Sequence, residues 1–420
     1  MCAASLAPGV VSFEEARHLV EEHALAVSPG ESERVDLLSA SGRILAESID
    51  ADRDFPPFPR AARDGYAVRA QDLGAAPARL ELIGEIKAGD VPASAFQVGS
   101  GQTASIMTGA PLPPGADAVV MVEYTTQAGN TIEISRSVKQ GENFVPRGSE
   151  ARQSQRLLDP GTRLDHAAIA LAASVGKGAV QVFRKPRIAV LATGDEIVAI
   201  ETSPGPTQIR NSNTYSLAAQ IQNAGGEPVL LPIAPDERVR LRALIEEGLE
   251  SDLLLMAGGV SMGKYDLVEQ VLEELKAEFY FTGAQIQPGK PIVFGSCMRQ
   301  KRAGAPAHKR YFFGLPGNPV STMVTFELFV TPMIHALAGG KANLLVFLKA
   351  RLKSDVRTKT GLKRFLPAVL SGEFENAEIE LARWQGSGDI AALAAANCYL
   401  VVPPDRELIS AGEWVSLLLR

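Results

Sequence analysis

Apolar residues return at helical spacing through residues 12–27, at Phe13, Ala16, Leu19 and Val20. Ser12 followed three residues later by Glu15 is a capping-box signature, so the pattern predicts a helix that starts there. The pattern then breaks at residues 51–60, ADRDFPPFPR, where three prolines leave no room for a regular element. From about 66 to 150 short apolar runs alternate with Gly/Pro turns: Ala78–Leu82, Thr103–Met107, Ala118–Glu123 and Thr131–Ser135. Runs of that kind predict a small β-rich domain. Leu164–Val175 is apolar and alanine-rich, a helix that Gly176 can end.

Beyond residue 186 strands and helices alternate. The strand candidates are Arg187–Ala192, Pro228–Ile233, Asp252–Met256, Phe279–Phe281, Ile292–Phe294 and Arg310–Phe313. Helical spacing falls at about 213–224, 236–250, 265–276 and 319–337. Alternation of this kind predicts parallel pairing and a doubly wound, mostly parallel sheet. After Gly339-Gly340 short strands return, up to Glu413–Leu419. The fold class expected is therefore α/β multidomain. A sheet domain at 186–338, with helix 12–27 grouped beside it, joins β-rich domains at 51–150 and 343–420. A small mixed linker domain is made of 28–50 and 151–185.

Composition narrows the function. A chain of 420 residues exceeds one ordinary core, and 46% hydrophobic with 21% charged residues suits a globular protein. The net charge of −6 argues against a nucleic-acid binder, whose phosphate contacts need a basic surface. Any bound anion must be held by local features. Cys2, Cys297 and Cys398 are odd in number and lack CxxC spacing, which fits a reducing compartment. MCAASLAPGV has neither a basic n-region nor an apolar h-region, and runs such as Ala167–Val175 are short for a bilayer. A cytoplasmic location is expected.

The chemistry gathers after the strands of the sheet domain, where ligands of open parallel sheets sit. Thr193-Gly194-Asp195-Glu196 follows the first strand, and Asp236 follows the second. Gly258-Gly259-Val260-Ser261-Met262-Gly263, then Asp266, follows the third. Gly314-Leu315-Pro316-Gly317-Asn318-Pro319 enters the last helix. One such loop is usually a turn or a cap; four on one edge suggest a ligand. Asn318 is placed to N-cap that helix, with Pro319 at its first position. The free N–H groups there attract an anion by about 0.3–1 kcal/mol. Gly258, Gly259 and Gly263 let backbone approach phosphate closely. Carboxylates beside phosphate repel it, so Glu196 and Asp266 make sense around a hard cation such as Mg²⁺. Asp195 and Asp236 read more simply as caps. Gln287-Pro288-Gly289-Lys290-Pro291 precedes a strand, and Lys290 reaches the same edge if that strand runs antiparallel. The sequence has no GxxxxGK[ST], no GxGxxG after the first strand and no HExxH.

These blocks, in this order, resemble the molybdopterin molybdenumtransferase (MoeA) family, to which the gephyrin C-terminal domain is related. Further matching segments are Gly42-Arg43-Ile44-Leu45, Arg63-Asp64-Gly65-Tyr66-Ala67-Val68, Ile106-Met107-Thr108-Gly109-Ala110 and Gly386-Ser387-Gly388. The resemblance implies four domains per chain, the sheet domain being MoaB/MogA-like and molybdopterin-binding, in an elongated homodimer. It implies that adenylylated molybdopterin and molybdate give molybdenum cofactor and AMP. It places Mg²⁺ on Glu196 and Asp266, and molybdate on Lys290, Pro291, Ser387 and a basic residue at Lys363-Arg364, assigned as Arg364. It implies that Asp64 is needed for activity, with Thr108 in the same cleft. Asp64, Lys290 and Asp266 are thus the catalytic candidates. The substrate-binding candidates are Thr108, Glu150, Thr193, Gly194, Gly258, Gly259, Ser261, Gly263, Pro291, Gly317, Asn318, Arg364 and Ser387.

The sequence departs from the family pattern in three places. Pro59-Arg60-Ala61-Ala62-Arg63 replaces Asp-Asn-Ser-Ala-Met, Glu150 stands where aspartate is usual, and Gly283 and Gln287 replace two lysines. The alternatives are a non-catalytic molybdopterin-binding scaffold of the same architecture, a tungstate-inserting paralogue, and a generic nucleotide-dependent transferase.

Overall fold

The continuous apolar run Leu253–Ala257 is buried along its whole length, as a strand covered on both faces must be. It lies near the middle of a six-stranded sheet ordered Glu227–Leu230, Arg187–Ala192, Leu253–Ala257, Ala307–Leu315, Val293–Gln300, Glu278–Phe281. The first four strands are parallel; Val293–Gln300 runs antiparallel to both of its neighbours. This computed structural model describes residues 9–90, 96–259, 267–300, 307–340 and 345–420. Ser261, Gly263 and Asp266 lie outside the described residues.

Alternation along the strands divides the core in two. Ile188 and Val190 face one side, with helices Ser212–Asn223 and Pro319–Leu337 and the N-terminal helix Phe13–Leu25. Ala189 and Leu191 face the other, with helices Arg238–Gly248 and Leu267–Glu274. The capping box at Ser12 forms: Glu15 N–H donates to Ser12 Oγ at 3.2 Å, and Ser12 N–H to Glu15 Oε2 at 2.8 Å. The helix buries Phe13, Ala16, Val20 and Ala24. Pro319–Leu337 contains a π-helical stretch at Phe326–Val330. It is long and apolar enough to cross a membrane, yet 72% of it is buried in the protein, as in a core helix.

Two expected strands differ in length. The Ile292–Phe294 candidate becomes Val293–Gln300, because it pairs residue by residue with Ala307–Leu315. Its continuation, Gly295-Ser296-Cys297-Met298, carries no alternation to announce a strand. The Pro228–Ile233 candidate stops at Leu230, on the edge of the sheet.

A second six-stranded sheet follows residue 345. Lys363–Ser371 pairs with Glu378–Leu381 and again with Cys398–Val402, so five strands close into a barrel. The short strand Ile286–Gln287 joins its outside, parallel to Lys363–Arg364. These elements belong to one compact unit: residues 1–46, 161–165 and 180–420. Residues 47–160 and 166–179 form a second unit. Its main sheet has six strands, Gly65–Val68, Ala78–Ile86, Gln102–Ile106, Ala118–Met121, Thr125–Ala128 and Thr131–Ile134.

Candidate functional site

Three strand ends converge in the first unit. Thr193 N–H donates to the Ala257 carbonyl at 3.2 Å, and Gly258 N–H to the Leu315 carbonyl at 3.2 Å. Gly194 N–H reaches the Ala234 carbonyl at 3.2 Å. The loops after these strands are thereby laced side by side. Their glycines are needed where they stand. A Cβ on Gly259, at φ +65°, falls 2.6 Å from Thr193 Oγ1, and one on Gly194, at φ +132°, falls 2.6 Å from a Glu196 carboxylate oxygen. A Cβ on Gly317 falls 3.6 Å from the Gly258 Cα, so those two loops abut.

Carboxylates crowd this edge. Asp195 Oδ1 accepts the Asp236 N–H at 3.1 Å. Burial first, and then the charges of Asp195 and Glu196, push the Asp236 carboxyl above its ordinary range. Asp236 is not the cap the sequence suggested: the N-cap of the following helix is Glu237, and no side chain bonds there. Among the described residues, the buried Thr193 hydroxyl has no hydrogen-bond partner, and no three His, Cys, Asp or Glu side chains converge on one metal position. Oxygen donors with unbalanced negative charge suit a hard divalent cation, which takes one or two carboxylates and completes its shell from substrate and water. Glu196 fits that role.

The second part of the site is a cleft of about 820 Å³ beside the start of the last helix. Lys290, Pro291, Asn318, Arg364 and Ser387, all singled out from sequence, line it together. Lys290 reaches it because its strand is antiparallel, as expected: Val293 sits opposite Gly314 at the C-terminal edge. Its neighbour Gly289, at φ +106°, packs where a Cβ falls 2.4 Å from Thr325 Cγ2. Arg364 is 6% exposed; its Nε donates to Gln287 Oε1 at 2.9 Å and its NH1 to the Leu362 carbonyl at 3.1 Å. Burial lowers the pKa of this guanidinium. The pleat separates Lys363 from Arg364: Lys363 turns away from the cleft, pairs with Glu14 and lies 4.9 Å from the Phe13 ring centroid.

Asn318 occupies the N-cap position with Pro319 inside it, but its side chain makes no capping bond. The anion site expected at this helix start is also partly filled, because Val320 N–H donates to the Ser387 carbonyl at 3.0 Å. That bond draws the Gly386-Ser387-Gly388 loop onto the helix. Asp389 pins the same loop by accepting the Gln385 and Ala392 N–H groups, each at 3.0 Å.

Lys359, Thr360, Trp384, Gln385 and Ser321 also line the cleft. Sequence reading passed over them. Lys359 sits in a basic, turn-rich run, Arg357-Thr358-Lys359-Thr360-Gly361, and that is the signal it offered. Among the described residues the lining therefore holds three cations, Lys290, Lys359 and Arg364, and no carboxylate.

In the second unit Asp64 and Thr108 meet. Asp64 Oδ1 accepts from the Thr108 N–H at 2.6 Å and the Thr108 hydroxyl at 2.8 Å. The amide bond first, then the hydroxyl, holds the Asp64 carboxyl below its usual range. Glu150 forms an ion pair with Arg60 at 2.9 Å, so one of the departing arginines has a partner. Gly283, another departure, lies against the strand Val10–Val11, where a Cβ falls 2.9 Å from Val10 Cγ2.

Residues 11–176 match the family described as MoeA N-terminal region (domain I and II). Residues 189–336 match the probable molybdopterin binding domain, and 349–419 the MoeA C-terminal region (domain IV). The chain is 37% identical over 401 residues to a molybdopterin molybdenumtransferase of Nostoc sp., covering 93% of this chain and 89% of that protein. The chain belongs to the MoeA family. It is also 34% identical to the molybdopterin molybdenumtransferase of Bacillus subtilis, over 93% and 90% of the two chains. Crystal structures of MoeA proteins from Pyrococcus horikoshii superpose with TM-scores of 0.77 and 0.69, at 29% and 35% identity over 98% of this chain. They cover 99% or more of those chains, so the architecture is that of MoeA throughout.

Proposed function

We propose that this MoeA-family chain acts in molybdenum cofactor biosynthesis, inserting molybdate into adenylylated molybdopterin with magnesium-dependent release of AMP. It works as a cytoplasmic homodimer of four-domain chains, divided as the sequence suggests. The observation that carries the reading is the cleft at Lys290: three cations and no carboxylate among the described residues, in a chain whose net charge is −6. Molybdate is a tetrahedral dianion. Lys290, Arg364 and the Ser387 hydroxyl offer it charge-assisted hydrogen bonds, about twice as strong as neutral ones.

The loops at Gly194, Gly258-Gly259 and Gly317 cradle the nucleotide-bearing ligand, with Thr193 offering its buried hydroxyl. Ser261 and Gly263 are proposed to contact the same ligand, and Asn318 keeps its amide free of capping duty. Glu196 and Asp266 would hold Mg²⁺, and the bound ion would supply charge neutralisation at the phosphoanhydride. The chain itself contributes position and electrostatics, since metal insertion at a dithiolene needs no protein nucleophile. Asp64, kept ionised by Thr108, orients a water or a proton.

Asp266→Asn is expected to abolish AMP release while leaving the melting temperature within about two degrees, since the substitution keeps the side-chain volume. Undiminished AMP release would sink the assignment. Mass spectrometry of ligand held by Glu196→Gln is expected to show adenylylated molybdopterin, and sedimentation a dimer.

A further inference from the structure

Gln287 sits on a two-residue strand whose other member, Ile286, is buried, so the glutamine side chain is turned outward to the cleft. Its register partner is Arg364. The amide oxygen takes the guanidinium Nε–H at 2.9 Å, and the Leu362 carbonyl takes NH1 at 3.1 Å. Arg364 is 6% exposed and has no carboxylate partner among the described residues. Two neutral acceptors thus hold the planar donor group without spending its charge. A carboxylate in their place would neutralise the guanidinium and repel an anion.

The geometry points to Gln287 as a positioning residue that aims Arg364 at the oxyanion and sets the affinity of the cleft for molybdate. This rests on the proposed function of the cleft. Gln287 acts through Arg364 alone. Adding positive charge at position 287 should therefore weaken anion binding, because a lysine there offers no acceptor and repels the guanidinium.

The test is equilibrium dialysis of radioactive molybdate against the full-length protein, together with the KM for molybdate in AMP release. Gln287→Met, which keeps the volume and removes the acceptor, is expected to weaken molybdate binding about tenfold, the scale of one hydrogen bond to a charged group. The KM should rise by the same factor with kcat unchanged. Gln287→Lys should weaken binding at least as much. In an Arg364→Ala background Gln287→Met should cost nothing further. Tighter molybdate binding by Gln287→Lys would show direct contact and overturn the proposal. So would unchanged binding by Gln287→Met, or a full additional loss in the Arg364→Ala background. If Arg364→Ala and Lys290→Ala themselves leave molybdate binding unchanged, the reading of the cleft fails instead.

Discussion

The first unit carries two charged regions that share the loop Pro316–Asn318 and oppose each other in sign. Pro316 and Asn318 line the cleft of Lys290, Lys359 and Arg364, while Gly317 abuts Gly258 at the edge that holds Asp195, Glu196 and Asp236. In the cleft, charge is held by neutral partners, as with Arg364 on Gln287 and Leu362. At the edge, charge is set against charge, and Asp236 is pushed toward its protonated form. A cleft of the first kind receives a dianion directly. An edge of the second kind receives phosphate after a cation has come between. The difference teaches that, on the proposed function, one anionic substrate would be bound by the protein and the other by the protein with its metal.

The comparison breaks if the two regions cannot be disabled separately. Glu196→Gln is expected to lower AMP release about 100- to 1,000-fold, the range seen when an electrostatic group at a reaction centre is removed. It should leave molybdate affinity within about twofold. Lys290→Ala should do the reverse, weakening molybdate binding about 10- to 100-fold with little change in binding of the nucleotide substrate. Rapid-quench assays of AMP and dialysis of molybdate measure the two; a variant that moves both would merge the regions.

Glycines sharpen the contrast on a smaller scale. Gly289→Ala drives a Cβ to 2.4 Å from Thr325 Cγ2 in the buried face of the last helix, at φ +106°. A loss of about 2–3 kcal/mol is expected in urea unfolding. At Gly194 the clash at 2.6 Å is with the end of the Glu196 side chain, which can swing aside. Gly194→Ala should cost only about 1 kcal/mol, mostly for the positive φ. Equal losses would show that the acidic edge is packed as firmly as the cleft.

The smallest effect concerns Asp64, an acid whose charge is favoured where that of Asp236 is disfavoured. A folded-state pKa below the unfolded one gives stability that is present above the ordinary aspartate range and lost as pH falls through the folded value. Thr108→Val keeps the amide donor and removes the hydroxyl, so the Asp64 pKa should rise part of the way to normal. Carboxyl NMR titration would read this, and an unmoved pKa would mean that the amide alone sets it.

Most of the sheet domain was legible because its strands are apolar runs and its helices are amphipathic, both local signals. The antiparallel strand that carries Lys290 was legible only as a condition, since strand direction is a property of the partner. Lys359 and Trp384 were hidden because the cleft is made between the sheet domain and the barrel, and no local pattern announces a neighbour from another domain. Arg364 could be separated from Lys363 only by knowing which face of the barrel strand each occupies. The missing cap at Asn318 has the same origin, for a residue type that suits a cap is here left facing a cleft.

The N-terminal helix carries a consequence for how the chain acquires its shape. Phe13 rests on Phe329 and Phe365, with ring centroids 6.0 and 5.1 Å away, both in the last quarter of the sequence. The helix Phe13–Leu25 therefore cannot complete the burial of its apolar face until the chain has been made through Phe365. Contacts of such long separation slow folding and leave sticky surface uncovered meanwhile. Residues 47–160, by contrast, can pair their strands as they appear. Residues 47–160 should thus fold before the helix Phe13–Leu25 is buried, and a truncation ahead of Phe365 should leave that helix seeking partners on other molecules.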